Sequence, residues 1–389
     1  TRYWRDWSSD VCSSDLAGFA QVTASKVLVQ YANGLTVNAS NPALTVGGVP
    51  YAFSQTIADG TTAMVVQGLN ASVGGFAKVG GDYGFKVSGS QLLAVAENAS
   101  ASLESGSAYV RLTGAKFGLR ASSGQVAFEL SNGTLEASLG DSVEFSATGV
   151  TVQYTSSGAS VASGDTVVVG GVTYGFTSAI TANTQAFKGQ ARLRIGSGLV
   201  LASGAFAVSR TVQTGVSLTG VTGPVNVRVL AVELSGVNLF VGAGGVFNGN
   251  GSINTDNAVG FSTSSANLSI AVATVADASA TDTRRWTGIA ASASVMSAVG
   301  LPSDFTVEVK DLKVRSNSVS GALDSVAASV INWNALFAAT TNPLNGLSGS
   351  TSLVVSGLVH LNLGGYVLAA GVFTLGKSTQ TGVALGDNG

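Results

Sequence analysis

Val169-Gly170-Gly171-Val172-Thr173-Tyr174-Gly175-Phe176 stands 123 residues after Val46-Gly47-Gly48-Val49-Pro50-Tyr51-Ala52-Phe53. Each stretch sets a Gly-Gly pair between apolar residues at alternate positions. That pattern predicts a β-hairpin whose two turn residues both take positive φ, which glycine accepts at little cost. Working outward, residues 27–61 align without a gap on 150–184, and fourteen of the 35 pairs are identical, including Val29-Gln30-Tyr31 with Val152-Gln153-Tyr154. A second register joins 197–216 to 364–383, with ten of twenty pairs identical, among them Val200-Leu201-Ala202 with Val367-Leu368-Ala369. A third element recurs as Val110-Arg111-Leu112-Thr113-Gly114 and Val232-Glu233-Leu234-Ser235-Gly236. Self-similarity at this scale marks a repeat architecture. It divides the chain into unit 1 (17–147), unit 2 (148–271) and a diverged, truncated unit 3 (272–389).

Period-two alternation dominates within the units. In Gln190 to Ile195, Ala191, Leu193 and Ile195 share one face while Gln190, Arg192 and Arg194 share the other; such alternation makes a half-buried strand. A Thr-Gly or Ser-Gly pair in mid-strand predicts a bulge or bend. Ser131-Asn132-Gly133 reads as a turn between strands 126–130 and 135–139, and 325–339 as the one helical pattern, capped by Asp324, or else as a loop packing Trp333. The fold expected is all-β: an elongated repeat of antiparallel strands and hairpins, as a meander or sandwich, with a parallel β-helix as the alternative. Hairpins this poor in large side chains need neighbouring strands to share an apolar face.

Composition narrows the function. The 389 residues carry 19 Lys+Arg against 21 Asp+Glu, one His and one Cys. A near-neutral chain lacks the basic reservoir that nucleic acid demands. One His and one Cys exclude His- or Cys-rich metal sites and a disulfide framework.

Residues Thr1 to Leu16 differ from the rest. They hold two of the four Trp and the only Cys, and Asp6-Trp7-Ser8-Ser9-Asp10-Val11-Cys12-Ser13-Ser14-Asp15-Leu16 resembles the translation of a sequencing adapter. Residues 1–16 are therefore expected to be an adapter-derived, disordered leader outside the fold.

Each candidate site has a plain structural counterpart. Gly371 to Ser378 matches the nucleotide-binding pattern GxxxxGK[ST], but its Val372-Phe373-Thr374-Leu375 interior alternates like a strand and no helical pattern follows, so no nucleotide is expected. Asn248, Asn250, Ser252, Asn254 and Asp256 set oxygen-bearing side chains at alternate positions. They are a weak calcium candidate, since only Asp256 is charged, and a hydrated loop tip is the simpler account. No other cofactor is expected. His360 lies on an alternating strand with no nucleophile motif in the chain, and reads as a surface residue. Arg284-Arg285-Trp286 offers an anion or sugar contact, or a packed Trp beside solvated charge. Glu308, Lys310, Asp311, Lys313 and Arg315 form a mixed-charge run that fits a solvent face. Asn-x-Ser/Thr triplets stand at Asn38, Asn70, Asn98, Asn132, Asn250 and Asn267.

The Val-Leu-Ala-x-Gly-x-Phe strands, the Leu-Ser-Gly-Val and Leu-Thr-Gly-Ala steps and the Val-Gly-Gly-Val-x-Tyr-x-Phe hairpins resemble the internal repeats of very large bacterial adhesin-like proteins. That resemblance implies an extracellular or cell-surface location and a non-enzymatic structural or adhesive role as stalk, spacer or adhesion surface. It also implies further repeats of the same chain, and cell-surface or matrix polymers, as partners. The alternatives are an outer-membrane β-barrel or autotransporter-like passenger, and a carbohydrate-active enzyme or binding module on a β-scaffold.

Overall fold

The computed structural model describes residues 5–9, 12–16, 20–39, 44–53, 56–73, 77–105, 107–139, 143–218, 221–337, 344, 347 and 353–377. They form an all-β chain in two compact units, Thr1–Gly189 and Gln190–Gly389. Both copies of the 27–61/150–184 duplication lie in the first unit.

In the first unit β1 (Arg5–Ser9), β2 (Cys12–Leu16), β3 (Ala20–Ala24) and β4 (Lys26–Tyr31) precede a small hairpin of β5 (Leu44–Val46) and β6 (Val49–Tyr51). Six long strands follow: β7 (Thr61–Val73), β8 (Ala77–Ser88), β9 (Gln91–Ser105), β10 (Ala108–Ser122), β11 (Gln125–Leu139) and β12 (Val143–Thr155). Each pairs antiparallel with the next. β3 and β4 lie end to end along β7. The leader that the sequence sets apart is paired: Arg5–Ser9 runs against β4 and Cys12–Leu16 against β3. Backbone ladders accept any extended segment, so an open edge recruits a strand whatever its origin.

The second hairpin of the duplication, β13 (Thr166–Val169) and β14 (Val172–Gly175), packs on the sheet made by β8 to β10. Gly170 and Gly171 have φ of 55° and 91°, and Gly47 and Gly48 have 58° and 83°; the predicted turn occurs in both copies. The registers agree as well, Val167 facing Tyr174 as Leu44 faces Tyr51. Val167, Val169, Val172, Tyr174 and Phe176 are buried with Val65, Val95 and Ala127. Each such side chain contributes about 1.5–3 kcal/mol, so the hairpin supplies the second layer that the sheet lacks. Gly84 and Gly118 permit this approach, since a Cβ there would strike Val169 and the Tyr174 ring.

β15 (Gln185–Ile195) leads into the second unit, where β16 (Val200–Val216), β17 (Val225–Ala243), β20 (Val259–Val275), β21 (Arg285–Val299), β22 (Phe305–Ser320), β25 (Leu353–Leu363) and β26 (Val367–Lys377) form an antiparallel meander. Between them lie two small hairpins, β18 (Val246–Phe247) with β19 (Ile253–Asn254), and β23 (Ala322–Leu323) with β24 (Val326–Ala327). Every ladder among the described strands is antiparallel and none closes a barrel, so the meander form of the expected fold is observed and the β-helix is not.

Over 325–337, the described part of the segment, the helix expected over 325–339 does not form. Asp324 and Ser325, with φ of 48° and 68°, turn the β23–β24 hairpin, and only a 3₁₀ turn, Trp333–Ala335, follows. Tertiary contacts override the helical pattern. The Trp333 indole N–H donates to Asn317 Oδ1 at 2.9 Å, and the Asn317 amide donates to the Ile331 carbonyl at 2.9 Å. Trp286 donates to the Ser329 carbonyl at 2.8 Å. This loop buries Ile331, Trp333, Leu336 and Leu344 over Val227, Val229, Ala271 and Trp286. It covers the second sheet as the hairpin covers the first.

A bulge runs through the middle of the long strands. Gly68, Gly81, Asn98, Gly114, Asn132 and Gly149 give β7 to β12 one positive-φ residue each. Gly236, Ser265 and Asp311 do so for β17, β20 and β22. The expected turn at 131–133 is therefore part of this line: Gln125–Leu139 is one strand whose register against β12 shifts around Gly133. A bulged N–H loses its ladder partner and needs another. Asp82 Oδ1 accepts from Gly68 N at 2.7 Å, and Asn267 Oδ1 from Gly236 N at 3.2 Å. Asn98 and Asn132 hold the left-handed position, which Asn tolerates better than other side chains.

Candidate functional site

The proposed calcium residues lie on the loop from β17 to β20. Asn248 N donates to the Ser252 carbonyl and Gly251 N to the Asn248 carbonyl, closing the tip. Asn248 Nδ2 reaches Ser252 Oγ at 2.8 Å, Ser252 Oγ donates to Asn250 Oδ1 at 2.8 Å, and Asn254 Oδ1 accepts from Asp256 N at 2.8 Å. The structure thus joins Asn248, Asn250 and Ser252, while Asn254 and Asp256 form a separate turn. Asn250 Oδ1 and Ser252 Oγ are engaged with one another, and the Arg192 guanidinium lies against Gly251, a neighbour that disfavours a second cation. Among the described residues no three His, Cys, Asp or Glu side chains cluster as a metal site.

Beside this loop the second unit has a hollow of about 250 Å³ lined by Asn238, Ser252, Thr255, Ser262, Ser264 and Ser297, among others, with no charged residue in its wall. A hollow of about 390 Å³ in the first unit has Asn70, Lys78, Ser100 and Arg111 in its wall. Lys78 and Arg111 both reach the Glu104 carboxylate at 3.0 Å, and these two hydrogen bonds hold that carboxyl below its usual range. Arg111 also stacks 4.1 Å from the Tyr109 ring centroid.

Arg284 is not solvated. It makes a bidentate pair with Asp282, at 2.8 and 2.7 Å, in which the two side chains are 8% and 5% exposed. The Arg284 hydrogen bonds lower the Asp282 pKa, and Asp282 raises that of Arg284. The guanidinium stands 5.6 Å from the buried Trp286 ring, so the pair fixes the start of β21. Gly371 to Lys377 is strand, paired from Val359 to Leu353 of β25, as its alternation predicts; Ser378 lies outside the described residues. His360 is exposed, between Glu308 of β22 and Ala370 of β26. Asp311, Lys313 and Arg315 share the exposed face of β22, and Lys310 pairs with Glu308 at 3.1 Å.

The most constrained polar group was not singled out by the sequence. Glu129 on β11 is fully buried. It accepts hydrogen bonds from Gln153 Nε2 at 2.6 Å, the Tyr174 hydroxyl at 2.7 Å and Thr177 N at 2.6 Å. Burial, with the facing carboxylate, pushes the Tyr174 hydroxyl pKa up. A buried charge is tolerated when its lone pairs are filled, and these donors tie β11, β12 and the hairpin together. The identity of Gln153 and Tyr174 with Gln30 and Tyr51 was the available signal. Comparison with family models, curated proteins and solved structures finds no match to this chain.

Proposed function

We propose that this chain is a non-enzymatic structural repeat segment of an extracellular protein, acting as stalk, spacer or adhesion surface. The observation that carries it is the duplicated strand–hairpin segment, whose second hairpin, β13–β14, packs over the antiparallel meander of the first unit. The buried Glu129 engages partners on separate structural elements, and the buried Asp282–Arg284 pair is satisfied locally at the start of β21. Such units add along the chain by nearest-neighbour contact. Further repeats are its first partners and surface or matrix polymers its second. Antibody raised against the chain and applied to intact cells of its source tests this. Labelling without permeabilisation is expected; antigen reached only after lysis contradicts it.

The uncharged hollow at Asn238, Ser262 and Ser297 favours a second reading, a carbohydrate-binding module. Polar hydroxyl and amide groups around a shallow cavity suit a neutral polyol. Glycan-array binding that Ser262→Leu removes would support that reading.

A further inference from the structure

We propose that the edge of β26 away from β25, which no described strand pairs, is an acceptor for a strand of the β17 type, presented by a further copy of the repeat. Two independent observations on the paired segments 200–210 and 367–377 point there. Leu201 is 1% exposed, covered by Phe240 of β17 and by Ala258, whereas its counterpart Leu368 is 74% exposed. Gly204 is a glycine because β17 crowds it: a Cβ there would lie 2.9 Å from Val237 Cα. Its counterpart Gly371 has nothing within 4 Å of that position, yet the glycine is retained. Both features make sense beside a neighbour like β17.

The β16–β17 ladder gives the register. Leu201 faces Phe240, Phe206 faces Leu234 and Val208 faces Val232. The incoming strand therefore sets an aromatic residue opposite Leu368, a leucine opposite Phe373 and a valine opposite Leu375. Val372, 82% exposed, and Leu375, 66% exposed, gain cover in the same step. Main-chain hydrogen bonds supply affinity in such strand addition, and alternate side chains supply specificity. A folded second copy of this chain does not offer the strand, because its β17 is already paired on both edges, to β16 and β20.

This deepens the repeat reading by naming the partner. A failure here leaves the cell-labelling result untouched. The test adds a labelled peptide of residues 225–243 to the full chain and follows anisotropy. Saturable binding is expected, weakened about tenfold or more by Phe240→Ala in the peptide, and lost in the Gly371→Val chain. That variant should fold with an unchanged melting temperature, since its new side chain meets open space. Because such peptides self-associate, residues 217–243 are also appended after Gly389. Slowed amide exchange across β26, absent with Gly371→Val, is then expected. No peptide binding together with unprotected β26 amides overturns the proposal. So does equal binding to wild type and Gly371→Val, or concentration-dependent dimerisation of the chain alone that Gly371→Val abolishes.

Discussion

The Tyr174 hydroxyl donates to Glu129 at 2.7 Å across 45 residues of sequence, joining a roof hairpin to the sheet beneath it. Tyr174→Phe is expected to lower unfolding free energy by about 1.5–3 kcal/mol, the range for hydrogen bonds to charged groups. Glu129→Ala should cost more, because Gln153, Tyr174 and Thr177 each lose a hydrogen bond to this carboxylate. Urea denaturation of the three proteins checks both size and order; an unchanged midpoint for Glu129→Ala contradicts the role given to this carboxylate.

The same hydroxyl gives a pH dependence. Its folded pKa is raised above the ordinary value of 10.0, chiefly by burial. Below that value both states hold the proton and the contribution is complete. Above it the unfolded chain loses the proton first, so stability falls as pH rises. The denaturation midpoint should decline between pH 9 and about pH 11, and decline less in Tyr174→Phe.

Asp282 has the opposite sign. Its hydrogen bonds with Arg284 depress its folded pKa below the ordinary 3.8. The stabilisation is present above that value and is lost as pH falls through the lower folded value. Asp282→Asn should be less stable at neutral pH and should lose less on acidification below pH 4. Parallel acid titrations of the two proteins show whether the curves converge.

The bulge line makes a conformational prediction. A Cβ at Gly114 meets nothing within 4 Å, but the residue sits at φ 64°. Gly114→Ala should therefore cost about 1–2 kcal/mol from backbone strain alone. Asn132→Gly, at φ 59°, should be near neutral. Thermal melts of both variants suffice, and equal destabilisation would remove the positive-φ explanation.

The duplicated Gly-Gly hairpins and the alternation were legible because turn chemistry and period two are local properties. Thr113-Gly114 and Ser235-Gly236 announced bulges for the same reason. Asn132 misled because a left-handed Asn serves a turn and a bulge equally well; only the partner strand distinguishes them. The Asn-x-Ser/Thr triplets at 98 and 132 mark these bends. The loop around Trp333 was ambiguous because its conformation depends on Asn317, sixteen residues away, and on the sheet it covers. Glu129 was hidden because its three donors come from β12 and from around the roof hairpin, and nothing in its own strand shows that the side chain points under a roof.

The claim that an inserted hairpin roofs the first unit's meander is tested most directly by amide hydrogen exchange on the intact chain, read residue by residue. The account predicts that Val167, Val169, Val172 and Tyr174 exchange as slowly as Val95 and Ala127 in the sheet below, and that Glu129→Ala accelerates the hairpin before the sheet. Hairpin amides that exchange at the rate of unstructured chain in the unmodified protein, over a protected sheet, would contradict it.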